Sequence, residues 1–230
     1  MPTNSLTARV TDYIFDYIRS RGLSSGQALP SELKTSTELS VSRGIVREAF
    51  RSLELAGIIE KANGRSPRVG VLDSSFLTNL MVHALSTRQV SLLQVMEVRA
   101  SIEVHAAELA SCRRTPSHIQ GLHAAADGML ASVREPDAFV HHDLAFHGLI
   151  YGATGNPLFE MFCGAMYGSI QESMRVGFLQ WTGTDEVARV AKLHGRIAKA
   201  IESGSASRAG ELMKLHFEDT RQNFERLQLQ

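Results

Sequence analysis

Apolar residues recur at three- and four-residue spacing along most of this chain, and the breaks between those runs divide it into helices. From Thr7 to Arg21 the residues Val10, Ile14, Tyr17 and Ile18 fall in helical register, and Gly22 stops the run. A loop from Leu23 to Pro30 follows. Ser31 has the side chain of an N-cap for a short helix running to about Leu39. After the turn Ser40-Val41, Ser42 caps a third helix that runs to about Ala56. Its inward stripe is Val46, Ala49, Phe50 and Leu53, while Arg43, Arg47 and Arg51 recur every four residues on another face. The period then changes. Between Ile58 and Val69 two β-prone stretches flank Asn63-Gly64, and both of those residues tolerate the positive φ a tight hairpin needs.

Beyond residue 72 the helical period returns and no strand pattern interrupts it. Helices are expected at about Ser75–Ser86, Ser91–Ser111, Pro116–Arg134, Asp137–Thr154, Pro157–Leu179, Asp185–Ser203 and Ala206–Leu227. Connections this short force neighbouring helices to run in opposite directions. The expected fold is therefore mainly α: an N-terminal winged helix-turn-helix with a small β-hairpin wing over residues 1–72, then an antiparallel all-helical bundle of six or seven helices over residues 73–230.

Composition adds limits. A length of 230 residues suits two domains, and 43% hydrophobic with 21% charged residues is ordinary for a soluble globular protein. No apolar run approaches the roughly 18 residues of a membrane span, and Met1-Pro2-Thr3-Asn4-Ser5 lacks the basic and apolar regions of a signal peptide. Cys112 and Cys163 stand apart without a CxxC pattern, which points away from a disulfide framework or a zinc knuckle. A cytoplasmic protein with no membrane partner is expected. The 24 basic and 24 acidic side chains cancel, but not evenly: residues 1–72 hold ten basic and seven acidic ones. That sign suits a reader of phosphate backbones. All nine histidines lie in the second part, so the two parts have different chemistry.

Three short helices followed by a basic-tipped hairpin place the third helix to enter the major groove of double-stranded DNA. Ser42, Arg43, Gly44 and Arg47 lie near its leading end, where arginine attracts phosphate and can grip guanine at two atoms. Ser31 and Glu32, at the head of the second helix, are candidate contacts as well. The tip Asn63-Gly64-Arg65 would reach an adjacent minor groove. Three arginines on a helix are by themselves a common solvated face; the order of caps, core stripe and wing favours DNA. The stretches Leu29-Pro30-Ser31-Glu32, Leu39 to Phe50 and Leu53-Glu54-Leu55-Ala56-Gly57 resemble the signature of GntR-family bacterial repressors. The resemblance implies that Ser42, Arg43, Gly44 and Arg47 contact an operator, with Gly64 at the wing turn. Two positions depart from the family pattern: Leu33 stands where a polar or basic residue is usual, and Thr35 where leucine is usual.

In the second part, the chemistry lies in polar residues that fall on apolar stripes. Asp143 and His147, four apart, share a face with Phe139, Phe146 and Ile150. His194 lies on the stripe Val187, Val190, Ile197 and Ile201, and His216 on the stripe Ala209, Leu212, Met213 and Thr220. Buried carboxylates and imidazoles are unfavourable unless paired, hydrogen-bonded or bound to a metal. One aspartate and three histidines suit a divalent transition ion, Zn²⁺ first and Ni²⁺ as an alternative. Any one of these histidines taken alone reads more readily as a satisfied core residue. His141 and His142 miss the spacing, and His83, His105, His118 and His123 read as structural or surface residues. Arg99 also falls on an inward stripe. It either pairs with Glu103 four residues on, or clamps a carboxylate of an effector at two points.

The resemblance continues here. Glu97-Val98-Arg99, Ile102-Glu103, Asp143-Leu144-Ala145-Phe146-His147, Thr154 to Leu158 and the late His194 and His216 are similar to the FCD effector domain of FadR-type GntR regulators. That resemblance implies a helical bundle in which Asp143, His147, His194 and His216 occupy metal positions and small carboxylates act as effectors. It also implies a homodimer on a palindromic operator, since a two-fold dimer needs paired half-sites. The expected function is a ligand-responsive transcriptional regulator, a repressor rather than an enzyme. The alternative is a metal-dependent enzyme acting on a small organic acid, because such a metal site can activate water.

Overall fold

The computed structural model describes residues 5–61, 66–71, 73–181 and 185–228. The chain divides into two compact units, residues 1–76 and 77–230. The two hydrophobic cores, one built from residues 10–69 and the other from residues 85–217, share no residue.

In the first unit, α1 (Leu6–Arg21) and α2 (Glu32–Leu39) both pack on α3 (Arg43–Leu55). Each helix is started by a serine whose hydroxyl accepts a backbone N–H of the first turn: Ser5 from Ala8, Ser31 from Lys34 and Ser42 from Ile45. The α2–α3 turn is made by Ser40 in the left-handed conformation, φ 55°, and Val41 anchors it in the core. Val10, Ile14, Val46, Ala49 and Phe50 are fully buried, so the apolar stripes of α1 and α3 face each other.

Strands β1 (Ile59–Glu60) and β2 (Arg68–Val69) pair antiparallel, Ile59 opposite Val69 and Glu60 opposite Arg68. Gly57, at φ 71°, turns the chain out of α3 into β1. Gly70 closes against that turn: a Cβ there would lie 2.0 Å from the Gly57 carbonyl oxygen, so only glycine fits. The loop before α2 is not free. Gly26 and Leu29 donate N–H groups to the Val69 and Pro67 carbonyls, and Val69 donates to Gln27, so the loop flanks β2 as a third extended segment. The expected wing tip, Asn63-Gly64-Arg65, lies outside the described residues.

The second unit is helical: α5 (Leu92–Arg113), α6 (Pro116–Ala131), α7 (Pro136–Ala153), α8 (Pro157–Trp181), α9 (Asp185–Glu202) and α10 (Ala206–Gln228), with α4 (Ser75–Ser86) leading into it. Prolines stand at the head of α6, α7 and α8, where the missing N–H is harmless. Two residues join α5 to α6, four join α6 to α7, and three join α7 to α8 and α9 to α10. Links this short give the antiparallel arrangement. Helix α5 packs on α7 and α10, α6 on α7 and α9, and α9 on α10. Fully buried Leu122, Phe146, Ile150, Ile197 and Met213 fill the space between them. No helix among the described residues is long and apolar enough to cross a membrane.

Candidate functional site

Four polar side chains from three helices meet in the centre of the second unit. Helix α7 carries Asp143 and His147 one turn apart, α9 carries His194, and α10 carries His216. All four are buried, with exposures of 2%, 1%, 0% and 4%. A nitrogen from each histidine lies within 4.8 Å of those of the other two. The ring centroids of His194 and His216 are 4.6 Å apart, and those of His147 and His216 are 5.3 Å apart. Asp143 Oδ1 lies 3.1 Å from Nε2 of His194 and 3.9 Å from Nε2 of His147. The four residues singled out in the sequence are thus brought together. His142 instead rests against Gly128, and His83, His105 and His141 are exposed.

The outer nitrogens of two rings are tied. His194 Nδ1 is 2.9 Å from the Val190 carbonyl oxygen, which can only accept, so Nδ1 carries the hydrogen. His147 Nδ1 is 2.5 Å from Glu103 Oε2. Burial would raise the Glu103 pKa, but the Arg99 charge and His147 outweigh it and hold it at about 2, so the carboxylate also only accepts. In neutral rings both Nε2 atoms then keep a lone pair. Nε2 of His147, Nε2 of His194 and Nδ1 of His216 are buried without a hydrogen-bond partner; the approach of Asp143 to His194 is close but not aligned as a hydrogen bond. Three orphaned imidazole nitrogens are unfavourable in a protein core and match what a cation needs. Burial, and then the neighbouring histidines, push the His216 pKa well below its ordinary value, which keeps that ring neutral and able to bind a metal. Burial opposes ionisation of Asp143, but a proton that His194, or next His147 or His216, turns toward it holds its pKa well below the usual carboxylate range. The carboxylate and a cation on these rings favour each other in the same way.

Two further residues complete the surroundings. The Tyr167 hydroxyl on α8 donates to Asp143 Oδ2. Arg99 on α5 is 1% exposed and donates from Nε to Glu103 Oε1 at 2.8 Å. Its guanidinium carbon lies 4.7 Å from the Tyr167 ring centre and 5.4 Å from that of Phe217. Of the two readings open for Arg99, the internal pair with Glu103 is the contact present. A narrow cavity of about 30 Å³ adjoins the cluster, bounded by Asp143, His216 and Thr220 and by apolar Phe139, Val187 and Met174. Arg99 does not line it. Tyr167 was detectable only as a tyrosine on the inward stripe of α8. The link from Glu103 to His147 joins positions 44 apart and leaves no local signal.

In the first unit, Ser42, Arg43, Gly44, Arg47 and Arg51 form an exposed face at the head and along one side of α3. Ser31 is exposed and caps α2. Glu32 is neutralised where it stands, with Lys61 Nζ at 2.7 Å and Arg47 Nε at 3.8 Å. The fold does not require glycine at position 44: a Cβ there would meet only Ser42 Oγ, at 3.8 Å.

Comparison with known proteins identifies both units. Residues 6–69 match the family model for bacterial regulatory proteins of the gntR family, and residues 94–219, more than half the chain, match the FCD domain. The chain belongs to the GntR family. It is 25% identical over 201 residues to the HTH-type transcriptional regulator LutR of Bacillus subtilis, a match covering 86% of this chain and 92% of that one. It is 27% identical over 214 residues to the Glc operon transcriptional activator of Escherichia coli K12, covering 89% and 83%. The solved structure of a Streptococcus agalactiae GntR protein superposes with a TM-score of 0.69 at 23% identity, over 94% of this chain and 99% of that one. This GntR-family protein is therefore a ligand-responsive transcriptional regulator with a helix-turn-helix reader and an FCD domain, and its relatives are regulators, not enzymes.

Proposed function

We propose that this protein is a cytoplasmic, homodimeric repressor of the FadR type. Residues 1–72 read a palindromic operator, and residues 73–230 hold a divalent metal and a small carboxylate effector that changes operator affinity. The observation that carries the sensor is the set of three buried, partnerless imidazole nitrogens beside a carboxylate. Asp143, His147, His194 and His216 would hold Zn²⁺, or Ni²⁺ in its place. Such an ion would supply a Lewis-acid point for a carboxylate oxygen of the effector. The adjoining cavity of about 30 Å³ accommodates little more than water, so effector entry would move its walls, and wall movement is a route by which occupancy alters the rest of the dimer. A direct clamp by Arg99 requires the effector to exchange with Glu103. Unchanged effector affinity in Arg99→Ala assigns Arg99 to the internal pair alone.

For the reader, Ser31, Glu32, Ser42, Arg43, Gly44 and Arg47, with Asn63, Gly64 and Arg65 on the wing, form the proposed contact set. Gly44 supports it in a specific way. Glycine inside a helix destabilises it by roughly 0.5–1 kcal/mol relative to alanine, and nothing in the fold demands it here. A bare backbone at the head of α3 does allow close approach to DNA. The test is a gel shift of full-length, Zn²⁺-loaded protein on the region upstream of its own gene, with a panel of small carboxylic acids. Specific binding released by one acid is expected, and Gly44→Ala should weaken binding at least about tenfold, or 1.4 kcal/mol, while melting at the same temperature or higher. No specific binding at any salt concentration sinks the reading. An acid that strengthens binding replaces repression relieved by ligand with ligand-dependent occupancy.

A further inference from the structure

Glu103 sends its two oxygens to different helices. Oε1 accepts from Nε of Arg99 at 2.8 Å, one turn away on α5, and Oε2 meets Nδ1 of His147 at 2.5 Å on α7. Glu103 is fully buried and both partners are 1% exposed, so water does not compete for any of these groups. We propose that Glu103 is the positioning residue of the histidine cluster: bridging Arg99 and His147, it fixes His147 as the Nδ1–H tautomer and leaves the Nε2 lone pair facing His194 and His216.

The direction of the chain of bonds follows from Arg99. A guanidinium has no acceptor and does not deprotonate in proteins, so the group opposite Nε must present an accepting oxygen. The Tyr167 and Phe217 rings flank the guanidinium, which limits its movement. With one Glu103 oxygen committed in this way, the other is fixed in place and can only accept from His147. His194 receives the same treatment from the Val190 carbonyl, a backbone group that no side-chain replacement removes. His147 depends on a side chain, so its tautomer can be changed by mutation. A hydrogen bond that fixes the ligand tautomer is the usual companion of a metal-binding imidazole. The effect on metal affinity rests on the reading of the cluster as a metal site; the tautomer does not.

The first measurement uses the metal-free full-length protein at pH 8 with ¹⁵N-labelled histidine. Long-range ¹H–¹⁵N spectra distinguish the two tautomers, and His147 is expected as Nδ1–H. A wild-type protein with His147 as Nε2–H overturns the proposal without any variant. The second uses Glu103→Gln, which keeps the shape. Arg99 claims the amide oxygen, the NH₂ group turns to His147, and the ring switches to Nε2–H. Zn²⁺ affinity, measured by competition with a chromophoric chelator, should then fall roughly 10–100-fold. A folded Glu103→Gln protein that binds Zn²⁺ as tightly as wild type, with the His147 tautomer unchanged, overturns the proposal. A wild-type protein that takes up neither Zn²⁺ nor Ni²⁺ sinks the metal reading instead, and the tautomer spectra of that sample decide the role of Glu103 alone.

Discussion

Thr35 in α2 is fully buried, and its hydroxyl has no hydrogen-bond partner. Most buried hydroxyls are satisfied, and leaving one unpaired costs about 1–3 kcal/mol. Thr35→Val keeps the shape and removes the orphan, so it should stabilise the first unit by about 1 kcal/mol. Hydrogen exchange of the α2 and α3 amides would register that gain as slower opening, and faster exchange would show that the hydroxyl has a role the fold needs. The sequence marked this position as a departure but gave no reason, because burial of a hydroxyl is a property of what packs around it. The histidines follow the same logic. Asp143 and His147 could be placed on one face from their spacing alone, whereas the partner of His147 Nδ1 could not be named without the structure.

Helix α5 illustrates how much an element owes to its ends. Its residues alternate between buried Val95, Met96, Arg99, Glu103 and Ala106 and exposed neighbours, and its N-terminus is closed by a capping box in which Ser91 and Gln94 each accept the other's backbone N–H. Ser91→Ala removes half of that box and should cost about 1 kcal/mol. Thermal unfolding followed by circular dichroism measures it, and no shift in the second unit's transition would mean that α5 is held by packing alone. The starts of α2 and α3 were legible because capping residues act within one turn, and Ser31 and Ser42 stand where caps were expected; the caps Ser5 and Ser91 on α1 and α5 emerged only with the structure. Helix ends were less legible. The helix expected to reach Arg134 stops at Ala131, and the one expected to stop at Ser111 continues to Arg113, since neither end carries a glycine stop and packing settles the last turn. The loop beside β2 was also illegible, because its pairing joins Ala28 to Arg68 across 40 positions.

Across the whole molecule, the two cores are separate sets of residues, so damage to one need not spread to the other. Phe50 is fully buried among Ile14, Val46 and Leu53 in the first unit. Phe50→Ala should cost about 3–5 kcal/mol, close to the whole stability of a domain this small. Calorimetry of the full chain is expected to show loss of the first unit's transition and of DNA binding, with the second unit's transition and its Zn²⁺ uptake retained. A single transition that moves as a whole would instead mean that the two units fold together. The sequence by itself determined the helices, the caps Ser31 and Ser42, the extended stretches on either side of the wing and the faces on which Asp143, His147, His194 and His216 lie, because each depends on residues within a turn or two of one another. Only the tertiary structure decided that those faces converge to within 4.8 Å and that Glu103 ties Arg99 to His147. It also decided that the cavity beside them is narrow. Periodicity fixes which side of a helix a residue occupies, but the depth and rotation at which helices meet are set by the volumes of all the core side chains packed between them.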